Sequence, residues 1–164
     1  MKQSAGIVII YKNKILLIHP SGKKRYYGNY SFPKGGLDKG ESILRAALRE
    51  THEEVGIKLK KSQLDTKRYE IPYIAKNNKK SIRKGSIYKT VYYWTCHIDD
   101  LSEIGLKSEV VPKNQLQKSE LDWAGFVPAK EIGKRISPVM SSIIQHVKLN
   151  EEFKLKSLNK YKKK

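Results

Sequence analysis

One cysteine, Cys96, in 164 residues excludes a disulfide framework and any cysteine-based zinc cluster. A lone thiol fits a reducing compartment, so the expected location is cytoplasmic. Long apolar runs are missing too. The longest aliphatic stretches, Ile7 to Ile10 and Ile15 to Ile18, fall far short of the ~20 residues that span a bilayer, so no membrane partner is expected. The apolar segment from Ala5 to Tyr11 has no small-residue cleavage site after it, which argues against a signal peptide. There is no Walker A loop and no Gly-x-Gly-x-x-Gly. His52-Glu53 lacks a second histidine at the metalloprotease spacing, and His19, His52, His97 and His146 form no ligand pattern. Acid is scarce, with 16 Asp and Glu against 34 Lys and Arg. What remains is ordinary for a folded domain: 38% hydrophobic residues and 10 tyrosines. The length suits one domain, placed at residues 1–149, with a lysine-rich tail at 150–164. Such a chain buries roughly 68–70% of its unfolded surface and needs no staple to fold.

The net charge of +18 is unevenly spread. Residues 1–37 hold seven basic residues and no acid, and residues 76–90 hold six and none. Between them, residues 38–57 hold five acids against three bases. A basic field favours polyanions such as nucleotides or RNA, and it is also what a lysine-rich solvated surface gives. β-Branched runs predict strands at 4–10 and 15–18, joined at Asn13 as a hairpin. Residues 20–40 carry five Gly and two Pro and read as a long loop. Strands are expected at 68–75, 87–98 and 122–127, with a basic loop at 76–86 and weak patterning over 99–120. A short helical turn starts at Lys130, and Ser137-Pro138 opens a last helix to about Val147. Strands flanking a central helix, with another helix last, indicate an α/β or α+β domain.

That central helix is the acidic segment. Leu44, Ala47, Leu48, Thr51 and Val55 mark one buried stripe, and Gly56 ends the helix. At ~100° per residue, Glu50 falls near −120° from the stripe, Glu54 near −80° and Glu53 near 180°. Like charges at i, i+3 and i, i+4 destabilise a helix by about 0.2–0.5 kcal/mol per pair. Arg49 reaches Glu53 at i+4, but one guanidinium does not neutralise three carboxylates. A solvated acidic face is one solution. A hard divalent cation, which takes carboxylate oxygens and leaves room for water and phosphate, is the other.

The spacing decides between them. Gly35, five residues, Glu41, seven residues, then Arg49-Glu50-Thr51-His52-Glu53-Glu54-Val55-Gly56-Ile57 resembles the Nudix box, Gly-x5-Glu-x7-Arg-Glu-U-x-Glu-Glu-x-Gly-U with U aliphatic. Of nine constrained positions over 23 residues, eight match, and Thr51 at the first U is the one departure. The hairpin at 4–18, the lead-in Tyr30 to Gly36 and the segment from Leu121-Asp122-Trp123 extend the resemblance over about residues 4–149. It implies an α/β/α sandwich with a mixed central sheet and a catalytic loop-helix. The implied activity is hydrolysis of a nucleoside diphosphate linked to another group. The resemblance would make Glu50, Glu53 and Glu54 ligands of Mg²⁺ or Mn²⁺, with the Lys34 carbonyl as an added backbone ligand. Arg49 would orient a glutamate, Glu41 would support the loop–helix junction or a further cation, and Gly35, Gly36 and Gly56 would give backbone freedom. The proton acceptor varies in this family. Candidates here are Glu54 or Glu53 inside the box and Glu120 or Glu103 outside it, with Glu120, three residues before Trp123, the better external one.

Substrate cues are thinner. Phe32-Pro33-Lys34-Gly35 resembles the lead-in of dinucleoside polyphosphate hydrolases and of RNA decapping enzymes. Tyr73 stands where the first group tends to place a base-stacking tyrosine, and Pro72 where ADP-ribose hydrolases tend to place a proline. Arg25 and Lys34, with Lys23 and Lys24, are candidate phosphate contacts, and Tyr26, Tyr27 and Tyr30 candidate stacking platforms, worth about 1–3 kcal/mol per base. The expected substrate is a dinucleoside polyphosphate or the 5′ end of RNA. ADP-ribose or a (d)NTP is the same-class alternative, and a non-catalytic nucleotide- or RNA-binding module is the alternative of another class. Trp94, Trp123 and Cys96 read as packing residues.

Overall fold

The computed structural model describes residues 2–24, 28–75, 83–137, 140, 141, 143 and 144. Its elements are β1 Lys2–Tyr11, β2 Lys14–Pro20, β3 Lys34–Gly36, α1 Ile43–Val55, β4 Tyr69–Ile74, β5 Ile87–Ile98, β6 Leu121–Pro128 and α2 Ala129–Arg135. Short 3₁₀ turns stand at Lys61–Gln63, Leu101–Ile104 and Lys113–Gln115, the last two within the weakly patterned stretch 99–120.

One mixed sheet runs in the order β4-β5-β1-β2-β6, with β3 paired to β1 off that path. β1 and β5 are parallel, from Lys2 beside Lys89 to Tyr11 beside Ile98. The other pairs between these strands are antiparallel. β1 is buried on both faces from Ser4 to Ile10, which is why it reads as a continuous β-branched run without alternation. Ala5, Ile7 and Ile9 pack towards Ala46, Ala47 and Val55 of α1. Val8 and Ile10 pack on the other side with Phe32, Ile132 of α2, Met140, Ile143 and Ile144. The result is the expected α/β/α layering. Cys96 lies in the first cluster, and burial pushes its thiol up to about 12, as suits a core residue.

The hairpin turns at Lys12 (φ 45°) and Asn13 (φ 61°). Two successive positive φ values are those of a type I′ turn, which Asn-Gly fills best. Replacing Lys12-Asn13 by Asn-Gly relieves a left-handed backbone cost of about 1–2 kcal/mol per residue, offset in part by the extra freedom of glycine in the unfolded chain, and is expected to raise stability by about 0.5–1 kcal/mol, read as a higher thermal midpoint.

Two features depart from the sequence reading. The glycine-rich loop 20–40 contains β3, which exists because β1 offers an edge at Ser4, Ala5 and Gly6. A side chain at Gly6 would stand 2.2 Å from the Pro33 carbonyl and 2.7 Å from the Lys34 β-carbon, so only glycine admits this crossing. The second departure is in α1. Its buried members are Ala46, Ala47, Thr51, Glu54 and Val55, while Leu44 and Leu48 are only partly covered. The buried arc is turned by roughly 60° from the predicted stripe, towards the glutamates. The last predicted helix falls partly within the described residues, where 140, 141, 143 and 144 are helical. Residues 76–82 of the basic loop and the tail at 150–164 lie outside them.

Candidate metal and polyphosphate site

The site is built at the junction of β3, the turn after it and α1. Ser42 caps α1 by accepting from the Arg45 amide at 3.2 Å, and Gly56 closes it in the left-handed region (φ 69°), donating to the His52 carbonyl. Thr51, the departure from the box, is fully buried and returns its hydroxyl to the Ala47 carbonyl at 2.8 Å, so no polar group is stranded.

Arg49 ties the junction together. Its Nε and Nη2 donate to the two oxygens of Glu41 at 2.8 Å each, and Nη2 also donates to the Gly36 carbonyl at 2.9 Å. Nη1 donates to Glu50 at 2.9 Å and to Glu53 at 3.1 Å. A two-pronged guanidinium–carboxylate pair is strong and fixes orientation as well as distance. It holds the Glu41 carboxyl down at about 2. Of the two roles implied for Glu41, the structure shows the junction support.

The glutamates divide by depth. Glu53 is exposed and leans on Arg49. Glu50 is partly buried, and its carboxylate sits where a side chain on Gly35 would be: a β-carbon there would lie 2.1 Å from Glu50 Cδ. Gly35 therefore serves close approach rather than backbone freedom. Gly36 has open space beside it and no positive φ, and of the three only Gly56 uses its backbone freedom to take a left-handed conformation. Glu54 is buried, 6% exposed, and accepts from the Lys34 amide at 2.8 Å. The Lys34 contact seen is thus its N–H. Burial pushes Glu54 up to about 8, with Glu50 and Glu120 adding to the shift, and burial raises Glu50 as well. Two carboxylates desolvated side by side form a donor set that suits a hard cation. As they stand, no three His, Cys, Asp or Glu side chains among the described residues already converge on one point.

The other candidates are placed as follows. Glu120 is exposed on the turn before β6, and its field reaches Glu54. That turn is pinned to α1 by the Gln117 amide on the Glu54 carbonyl at 2.9 Å. The Glu103 carboxylate is engaged in its own turn, where it accepts from the Asp99 and Asp100 amides at 2.7 and 2.8 Å. Tyr73 is half-buried on β4 and pairs with Lys89, whose Nζ lies 5.3 Å from its ring centre. Pro72 points to the opposite face of the sheet and is exposed. Tyr30 is no stacking platform. It is buried, packed on His19 and Trp123, and its hydroxyl accepts from Arg135 at 2.8 Å. Trp94 and Trp123 are half-buried against the two cores, as read. A pocket of about 270 Å³ beside Trp123 and Arg135 contains none of the box residues. Arg25, Tyr26 and Tyr27 lie outside the described residues. Gly6 and Tyr93 carry no signal in the sequence, because only their tertiary neighbours mark them.

A family model for the NUDIX domain matches residues 1–147. The chain belongs to the Nudix family. Mouse bis(5′-nucleosyl)-tetraphosphatase (asymmetrical) is 38% identical over 79 residues, covering 47% of this chain and 48% of the mouse protein. The RNA pyrophosphohydrolase of Francisella tularensis subsp. mediasiatica is 34% identical over 73 residues, covering 42% and 46%. The chain therefore spans less than half the length of either relative. A bifunctional NMN adenylyltransferase/ADP ribose pyrophosphatase from Francisella tularensis, solved with AMP and a Mn ion, superposes over 93% of this chain and 42% of its own, with a TM-score of 0.62 and 19% identity. That likeness shows the shared Nudix fold. Among the described residues, no helix is long and apolar enough to cross a membrane.

Proposed function

We propose that this Nudix domain hydrolyses a pyrophosphate bond in a dinucleoside polyphosphate or at the 5′-polyphosphate end of RNA, using Mg²⁺ or Mn²⁺. The observation that carries this reading is the pair of desolvated carboxylates, Glu50 and Glu54, set against Gly35 and the Lys34 amide. Glu50 and Glu54 would hold the cation, with Glu53 supplying the third carboxylate from the rim and the Lys34 carbonyl a backbone oxygen. When bound, the cation supplies charge neutralisation on the phosphates and an activated water. Arg49 keeps the glutamates in register with β3. With three glutamates committed to the cation, we assign Glu120 the proton taken from water, since the turn that carries it is pinned to α1 by the Gln117 amide on the Glu54 carbonyl. Lys34, and Arg25 of the basic stretch at 23–25, would meet outer phosphates, and Tyr73 would face a base. The partial matches to a tetraphosphatase and an RNA pyrophosphohydrolase favour polyphosphates over ADP-ribose.

A phosphate-release panel with Mg²⁺ tests this. Dinucleoside tetraphosphate or 5′-triphosphate RNA is expected to turn over at least about 10-fold faster than ADP-ribose or dNTPs, a discrimination of about 1.4 kcal/mol. The reverse order overturns the substrate assignment, and tight binding without turnover by any substrate would reveal a non-catalytic module. An RNA preference should fall steeply with added salt. Glu120→Gln is expected to lower kcat about 10²-fold or more while leaving Mn²⁺ affinity intact. Unchanged kcat returns the proton acceptor to Glu53 or Glu54.

A further inference from the structure

We propose that the Tyr93 hydroxyl is a substrate contact, donating a hydrogen bond to a phosphate oxygen attracted by Lys2, Lys34 and Lys89. This rests on the polyphosphate reading above and adds to it a residue that the box does not contain. The Tyr93 side chain is fully buried in the middle of β5, its ring edge-on to Phe32 at 5.4 Å. Among the described residues its hydroxyl is the one buried side-chain oxygen or nitrogen with no hydrogen-bond partner. A buried donor left unmatched lowers stability, and phenylalanine would fill the same volume without that loss. The hydroxyl therefore calls for a partner that arrives from outside.

Its surroundings say which chemistry that partner has. By strand register, Tyr93 shares a sheet face with Lys89 and Tyr73, and with Gly6 and Lys2 of β1. The Lys34 β-carbon lies beside Gly6, whose missing side chain also leaves room for the Tyr93 ring. Electrostatic interactions link Tyr93 to Tyr73 on β4 and to the box carboxylate Glu54. Burial holds its phenol far above the ordinary value, so it remains a donor. Lys89 is partly buried, and burial, Lys34 and Lys2 all lower its pKa, the sign of ammonium groups crowded together. None of the three lysines forms an ion pair with a carboxylate among the described residues. A group with several anionic oxygens relieves that repulsion and gives the hydroxyl an acceptor at once.

Tyr93→Phe in the full chain tests this, with inorganic tripolyphosphate as the anion. In EDTA, calorimetry is expected to show about 10-fold weaker tripolyphosphate binding, while the ligand-free thermal midpoint rises by about 2–4 °C. Lys89→Gln is expected to weaken the same binding and to flatten its salt dependence. The proposal is overturned if Tyr93→Phe binds tripolyphosphate as tightly as the parent, if the parent does not bind it in EDTA, or if the midpoint falls, since a fall means the hydroxyl is already satisfied inside the protein. Mn²⁺ binding, followed by electron paramagnetic resonance, is judged separately. A parent chain that binds no Mn²⁺ sinks the metal reading and leaves the Tyr93 contact standing on the tripolyphosphate result.

Discussion

Glu54→Gln is expected to give a folded protein that is inactive yet more stable than its parent in metal-free buffer at alkaline pH. The buried carboxyl is held up at about 8 by desolvation, whereas in the unfolded chain it ionises near 4.5. Between those values the folded state keeps a proton that the unfolded state has lost. Stability therefore falls as pH rises from about 4.5 to about 8, and stays lower above that. At 1.36 kcal/mol per pH unit the ceiling on this loss is about 5 kcal/mol, and water entry and relaxation of α1 bring the expected figure nearer 2. Glutamine keeps the acceptor for the Lys34 amide and removes the ionisation, so the slope should vanish. Added Mg²⁺ should reverse the ranking: the parent gains about 2.7 kcal/mol at 100 times its Kd, the variant much less, and kcat falls about 10³-fold or more. Thermal midpoints across pH, with EDTA and with Mg²⁺, read all of this. Equal pH profiles for the two proteins would show that Glu54 is not desolvated in solution, and full activity of the variant would remove it from the metal site.

Gly35→Ala should separate activity from stability in the other direction. The new methyl would overlap Glu50 at 2.1 to 2.5 Å, and what gives way is the end of a flexible side chain rather than β3 itself. The stability loss is expected to be about 1 kcal/mol, at the low end for added core volume. The carboxylate must move by more than 1 Å, and misplacement on that scale costs about 10² in rate. Gly36→Ala is the matched control, since nothing stands near it and its backbone is ordinary, and it should be close to neutral in both measurements. Equal losses for the two variants would mean that Gly35 serves the strand and not Glu50.

These two residues also show what the sequence could and could not carry. The box announced its own helix, cap and charge pattern, because caps, periodicity and i, i+4 spacing are local. The doubly buried β1 and the long β5 were legible from β-branched and aromatic content alone. β3 was not, because Lys-Gly-Gly has no strand preference and pairs only where β1 offers an edge. The rotation of the buried arc of α1 was hidden for a related reason. A periodicity count treats Glu54 as a surface residue, yet one backbone N–H from Lys34 is enough to bring it inside. Glu103 and Glu120 look alike in sequence, and only the capping of two amides by Glu103 tells them apart. Tyr93 reads as one aromatic in a strand, and its unmatched hydroxyl is visible only when its neighbours are in place.

The parallel pairing of β1 with β5 has a consequence for the order of assembly. β1 joins a partner nearly ninety positions further along the chain, and β3, Gly35 and the Lys34 amide all hang from β1. Contacts of such separation form late in folding, after local hairpins and helices. On the ribosome, α1 can coil soon after it emerges, but β1 has no neighbour on its β5 side until residue 98 has been synthesised. Until then the glutamates decorate a helix without a frame. The proposed capacity to cleave a phosphoanhydride would thus be acquired in one late step, and a chain truncated before β5 should carry the whole box with no activity.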